Sequence, residues 1–216
     1  MSGPRAEVVA WPSEIEARYR VVEQVVQVLH GGGLVVYPTD TVYGLGADPT
    51  FPDAIRRIFE VKGRPDEKAI IWLVDSLDSA RAACIVDDRA ERLAKMFWPG
   101  ALTLVLPRRN PSMDTLPTLG VRVPAHPAAL AILRAMDGPV ATTSANRSGE
   151  PSARTADEAA TTIGSEVDLI IDAGPAPGGV ESSVLDLSVS PARLLRIGAI
   201  EASELEAALA MRIQPV

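Results

Sequence analysis

Cysteine is almost missing from this 216-residue chain, with Cys84 the only one. A lone thiol excludes an internal disulfide and any zinc site built from several cysteines. Histidine is nearly as scarce: His30 and His126 are the only two, so a His-rich metal site is excluded and no metal ligands are assigned. Neither has an obvious Ser or Cys partner, which leaves a catalytic triad without support. Aromatic residues make up 4% of the chain, too few to build stacking platforms for bases. Basic residues are outnumbered, 21 Lys and Arg against 28 Asp and Glu, for a net charge of −7. The broad positive field that captures nucleic-acid phosphates is therefore lacking, and only a small basic cleft remains open. No apolar run is long enough to span a bilayer, and the N-terminus has no apolar segment of the secretory kind. These absences lead us to expect a cytoplasmic protein. A Walker A sequence is absent, as is a Gly-x-Gly-x-x-Gly opening a helix, so a bound nucleotide would need a different cradle.

What is present reads as a soluble globular chain, 47% apolar and 23% charged. The size allows one large domain, and with no repeat or linker in view a single domain over 1–216 is expected. Helix and strand patterns alternate. Ser13 and Glu16 have capping-box spacing, followed by apolar residues at helical intervals up to Leu29. Strands are expected at 34–37, 69–74, 102–106, 119–123, 139–143, 169–171, 183–187 and 193–196. Further helices are expected at 52–61, after Asp88 and Glu91, at 127–136, after Thr155 and Glu158, and after Ser203 and Glu206. The pattern predicts an α/β fold with helices packed on a large sheet. The later strands are too close together for helical crossovers, so the sheet should be mixed. The Gly-, Pro- and Ser-rich loops 146–154 and 173–180 read as ordered site loops.

Three segments could carry chemistry. Residues 37–46, Tyr-Pro-Thr-Asp-Thr-Val-Tyr-Gly-Leu-Gly, follow a buried strand. Thr39 and Thr41 flank Asp40, so both hydroxyls point to one side of an extended segment. Gly44 and Gly46 would free the main chain or admit a ligand close to it. The segment reads as a ligand loop or as a capped strand-to-loop junction. In 61–68, Pro65 biases Arg64 toward extended geometry, so Lys62 and Arg64 would share a side and suit a polyphosphate. A solvated charged loop is the other reading, because Asp66 and Glu67 nearly cancel the cations. In 141–149, Thr142, Ser144 and Asn146 alternate and could line one edge with donors and acceptors; a helix cap or Asx turn is the plainer reading.

Arg122 lies inside the apolar run 119–123 and needs a fixed partner, either a ligand carboxylate or an internal acid. Arg196 raises the same question. His126 reads as a helix cap, His30 as the end of the first helix, and Cys84 as core.

Taken together, these motifs resemble the YrdC-like family of threonylcarbamoyl-AMP synthases. The resemblance runs from about Ser13 to Ile200. It is carried by 37–46, by Lys-Gly-Arg-Pro at 62–65, by Trp-Pro-Gly-Ala-Leu-Thr-Leu-Val-Leu at 98–106, by Val-Arg-Val-Pro-Ala-His-Pro at 121–127, by Thr-Ser-Ala-Asn-Arg-Ser-Gly at 143–149 and by Glu-Ser-Ser-Val-Leu-Asp at 181–186. Six motifs in this order are specific where each alone is modest.

The resemblance implies a YrdC-like fold: an open, twisted sheet with flanking helices and a concave, positively charged cavity. It implies an enzyme that makes threonylcarbamoyl-AMP and pyrophosphate from L-threonine, bicarbonate and ATP with Mg²⁺. A separate transferase complex then moves the group to adenosine 37 of tRNA. By the same resemblance Lys62 and Arg64 meet the ATP phosphates and stabilise their charge. Lys68, Thr118, Ser144, Asn146, Ser152 and Arg196 are further ATP contacts. Thr41, Arg122, Thr142 and Ser182 form the threonine pocket, with Arg122 on the carboxylate.

The chain departs from the family pattern at Ala69, where many relatives have Pro, at Leu73, where some have a pocket His, and at Ser183, where Thr is usual. Ending at Val216, it resembles the short form that lacks an extra C-terminal domain. Alternative readings are a carbamoyl-adenylate-forming relative that works without threonine, a double-stranded RNA or tRNA binding module, and an inactive scaffold. The acidic composition weighs against the RNA reading, and retention of Lys62, Arg64, Ser144 and Asn146 weighs against the scaffold.

Overall fold

The computed structural model describes residues 6–63, 70–111 and 116–215. Among the described residues ten strands form one sheet, in the order β1-β8-β2-β3-β7-β4-β6-β5-β9-β10. The strands are β1 (Glu7–Ala10), β2 (Val35–Tyr37), β3 (Gly44–Ala47), β4 (Ile71–Leu73), β5 (Leu102–Pro107), β6 (Thr118–Arg122), β7 (Val140–Ser144), β8 (Leu169–Asp172), β9 (Ser183–Asp186) and β10 (Arg193–Arg196). β1 and β2 both run parallel to β8, whereas β3 is antiparallel to β2 and β7. The sheet is therefore mixed, as expected from the connection lengths.

Seven helices among the described residues flank it: α1 (Ile15–His30), α2 (Pro52–Lys62), α3 (Leu77–Ala83), α4 (Asp88–Phe97), α5 (Pro127–Met136), α6 (Ala156–Ile163) and α7 (Ala202–Leu209). Strand alternation feeds separate cores. Val35 and Tyr37 pack with Val25 and Leu29 of α1 and with Ile132 and Leu133 of α5. Val36 points the other way, among Ala54 and Ile58 of α2 and Ile163 of α6. A third core joins Leu104 and Val121 to Leu93 of α4 and Leu205 of α7, and it takes in the buried Cys84. No helix among the described residues is long and apolar enough to cross a membrane.

Several local expectations are corrected. β1 and α3 were not expected as separate elements. Residues 44–47, read as loop, form a central strand. Neither Gly44 nor Gly46 has a positive φ. A Cβ on Gly46 would stand 2.7 Å from Tyr37 Cε1 and 2.7 Å from Val140 Cγ1, so glycine is there to make room for the Tyr37 ring. α1 is capped at Glu14 without a side-chain bond, rather than by Ser13. α7 begins after Glu201, whose N–H donates to Glu204 Oε1 at 3.2 Å, rather than at Ser203. α4 is capped by Asp87, whose side chain accepts from Ala90 N, rather than by Asp88. Thr155 and His126 do cap their helices as expected, each accepting a backbone N–H.

Candidate active site

A cavity of about 1090 Å³ opens over the central strands, with the end of α2 on one side and β10 on the other. Its described walls carry Lys62, Arg108, Arg122, Arg193 and Arg196 against Glu150, Glu181 and Asp186. Five cations to three acids give a local excess of positive charge inside a chain whose net charge is −7.

Lys62 is the last residue of α2, with Gly63 in the left-handed region (φ +62) ending the helix behind it. It does not lie in an extended segment, because Gly63 lets the helix run one residue further than the sequence suggested. Lys62 is 3% exposed. Its ammonium donates to Ser144 O at 2.8 Å and to Asn146 Oδ1 at 2.6 Å. Ser144 Oγ donates to the same Asn146 oxygen at 2.6 Å, and Asn146 Nδ2 donates to Glu150 O at 2.5 Å. The carbonyl of one asparagine thus fixes a cation and a hydroxyl together, and Thr142, Ser144 and Asn146 do form a polar edge. Arg64 and Lys68 lie outside the described residues.

On the opposite wall, Arg196 Nε donates to Ser182 O at 2.9 Å and Nη2 to Ser182 Oγ at 3.1 Å. Its Nη1 donates to Glu181 Oε2. Ser152 Oγ donates to the other Glu181 oxygen at 2.6 Å. Burial raises the Glu181 pKa. The hydrogen bond from Ser152 and the charges of Arg196 and Lys62 outweigh it, holding the carboxyl below its ordinary value. Glu181 thus stands between both walls; the sequence marks it only as the first residue of the 181–186 motif, with no role attached.

The second group surrounds Arg122, which is 4% exposed. Its Nε donates to Gly100 O at 2.8 Å, Nη1 to Thr41 Oγ1 at 3.0 Å and Nη2 to Asp40 Oδ1 at 2.6 Å. The partner of the strand-buried cation is therefore an internal acid, and part of its five-donor fork remains for a ligand. Burial pulls the guanidinium pKa down, and Asp40 opposes the shift. Thr39 and Thr41 hydroxyls lie 3.0 Å apart, on one side as the alternation predicted. Loop 173–180 locks this turn, with Gly178 N donating to Asp40 O at 3.0 Å and Gly179 N to Thr41 O at 2.7 Å.

Thr142 is supported from below by Tyr37, with their oxygens 2.6 Å apart. The Ser182 hydroxyl, on the same cavity wall, also lies 2.9 Å from Thr103 Oγ1. Thr118 sits on the cavity wall at the start of β6. Leu73, at the position where some relatives have His, is 1% exposed in the α1–α5 core. Ser183 is fully buried, accepts Gly198 N and Ile200 N and donates to Ile200 O at 2.6 Å, so its hydroxyl closes a loop rather than facing a ligand.

The arrangement offers a cationic cluster with hydroxyls beside a guanidinium–threonine pocket, in one cleft. The Sua5/YciO/YrdC family pattern, described as "telomere recombination", matches residues 27–198. A threonylcarbamoyl-AMP synthase of Pyrococcus abyssi is 41% identical over 93% of this chain and 62% of its own length. One from Bacillus subtilis is 38% identical over 87% of this chain and 56% of its own. The chain thus spans about three-fifths of the length of these two relatives. The crystal structure of P. abyssi Sua5 complexed with L-threonine superposes with a TM-score of 0.90 at 38% identity, covering 97% of this chain and 63% of that one.

Proposed function

This chain belongs to the Sua5/YciO/YrdC family, and from that premise we propose that its cleft joins L-threonine, bicarbonate and ATP into threonylcarbamoyl-AMP, releasing pyrophosphate. The amine of threonine captures carbon dioxide or bicarbonate as a carbamate. A carbamate oxygen forms the new bond to the α-phosphorus, and the bond to the bridging oxygen of pyrophosphate breaks. The observation that carries this reading is a single cavity whose walls hold Lys62, Ser144, Asn146 and Arg196 together with Thr41, Arg122, Thr142 and Ser182, as a reaction between two bound substrates requires.

Lys62, Arg64 and Arg196 are assigned to the triphosphate, with Ser144, Asn146 and Ser152 adding donors or orienting them. Thr118 and Lys68 are assigned to the nucleotide as well. Arg122 is assigned to the threonine carboxylate through the donors that Asp40, Thr41 and Gly100 leave over. Charge neutralisation and alignment do the work, as in other transfers at phosphorus. No group of three His, Cys, Asp or Glu side chains able to hold a metal ion exists among the described residues. Mg²⁺ is assigned to the nucleotide substrate, whose phosphates would supply most of its ligands. The product would pass to a transferase complex that modifies tRNA.

Pyrophosphate release in the presence of ATP, L-threonine, bicarbonate and Mg²⁺ tests the proposal. Release should fall to background when threonine is left out. Release that ignores threonine would instead favour a relative that adenylates carbamate alone.

A further inference from the structure

One acidic side chain stands where phosphates are assigned to go. Glu181 takes a hydrogen bond from Ser152, an ion pair from Arg196, and the electrostatic influence of Ser144 and Lys62. All four partners belong to the phosphate side of the cleft. Its side chain is 31% exposed, so a ligand can reach it. Its backbone cannot easily retreat. A Cβ on Gly198 would lie 2.2 Å from Glu181 O, and Ala199 N donates to that carbonyl at 3.0 Å. Arg196 is held on the same side, with Nε, Nη1 and Nη2 each giving one bond to Glu181 or Ser182 and two N–H donors left over.

We infer that Glu181 determines the charge of the ligand this cleft accepts: it admits a nucleoside triphosphate as the divalent-cation complex and discriminates against the bare polyanion. The inference rests on the nucleotide reading above. A bare triphosphate must take Ser152 and Arg196 away from Glu181 and then lie beside an ionised carboxylate. Like charges in a partly desolvated cleft repel more strongly than in water. A cation carried on the phosphate oxygens cancels that repulsion and gives the carboxylate an opposite charge to face. The clamp around Lys62 attracts either form, so the discrimination comes from the acid. This arrangement differs from a resident metal site, for which the described residues supply no cluster.

The test is isothermal calorimetry with ATP and separately with inorganic tripolyphosphate, each with Mg²⁺ and with EDTA. The probes are the wild-type protein and Glu181→Gln, which keeps the size and the acceptor oxygen. Wild type should bind bare ATP at least about tenfold more weakly than the magnesium complex. In Glu181→Gln, bare ATP should bind about tenfold more tightly than it does to wild type, while affinity for the magnesium complex stays within about threefold. Retained binding of the complex also shows that the variant is folded. Tripolyphosphate should repeat the pattern, which assigns the effect to the phosphates.

An unchanged gap between bare and complexed ATP in Glu181→Gln would overturn the inference. So would loss of both forms, or a shift seen with ATP and not with tripolyphosphate. If wild type binds no ATP even with Mg²⁺, the nucleotide reading itself falls.

Discussion

The Asp40 carboxylate receives Arg122 Nη2 at 2.6 Å and, on the same oxygen, the Ala125 N–H at 2.9 Å. The two side chains are 4% and 13% exposed, so the pair is nearly withdrawn from water. A buried ion pair is costly to break from one side, because the partner is left charged and unpaired. Arg122→Ala and Asp40→Ala should each destabilise the protein by about 3–5 kcal/mol. The double variant should cost less than the sum of the two. Urea unfolding of the four proteins measures this, and simple additivity would dismiss the coupling. Asp40→Ala should also raise KM for threonine, because Arg122 loses one of its three fixed anchors.

Lys62→Ala removes the ammonium that Ser144 O and Asn146 Oδ1 hold in place. Under the proposed function, transition-state stabilisation should fall by about 2–4 kcal/mol, and Arg64→Ala should cost a similar amount. Both are read as kcat/KM for pyrophosphate release. Near-normal rates in both variants would remove these residues from the phosphate assignment.

Gly46→Ala pushes a methyl into Tyr37 Cε1 and Val140 Cγ1, each 2.7 Å from the new carbon. Overpacking of this kind costs about 1–3 kcal/mol. Displacing the Tyr37 ring also disturbs Thr142, so threonine should bind more weakly. Gly149→Ala is a useful contrast. Its φ is +87 and nothing lies within 4 Å of the added carbon, so the cost is backbone strain, about 1 kcal/mol. Thermal unfolding should rank Gly46→Ala below Gly149→Ala; the reverse order would contradict the packing role.

Tyr37 is fully buried, and burial lifts its hydroxyl well above the ordinary value of 10.0, against the opposing effects of the Thr142 hydrogen bond and the Arg122 charge. The unfolded chain therefore loses this proton at lower pH than the folded one. Below about pH 10 the group leaves stability unaffected by pH, and above it stability falls as pH rises. The denaturation midpoint of wild type should decline more steeply above pH 10 than that of Tyr37→Phe. At neutral pH Tyr37→Phe should cost about 1 kcal/mol for the lost hydrogen bond. Parallel pH curves for the two proteins would refute the assignment.

Elements with a repeated pattern and a clear stop were legible in the sequence. α5 and β10 have the bounds that their apolar spacing and flanking residues predicted. β3 was not legible, because Gly44 and Gly46 look like loop residues until the Tyr37 ring is seen to need their missing side chains. Ser13 and Ser203 carried good capping spacing, yet the helices begin elsewhere. Residue types in the motifs pointed to Lys62, Ser144, Asn146 and Arg122. Asp40 and Glu181 escaped as partners, since an acid that meets an arginine 82 or 15 residues away leaves no local trace.

Lys62 comes from the first third of the chain and Arg196 from its last tenth, and the strand order brings them to the same cleft. During synthesis, no ligand can be held between Lys62 and Arg196 until β10 has left the ribosome. Phosphate ligand added to a refolding or translation mixture should therefore rescue only defects that act after the final strand has docked.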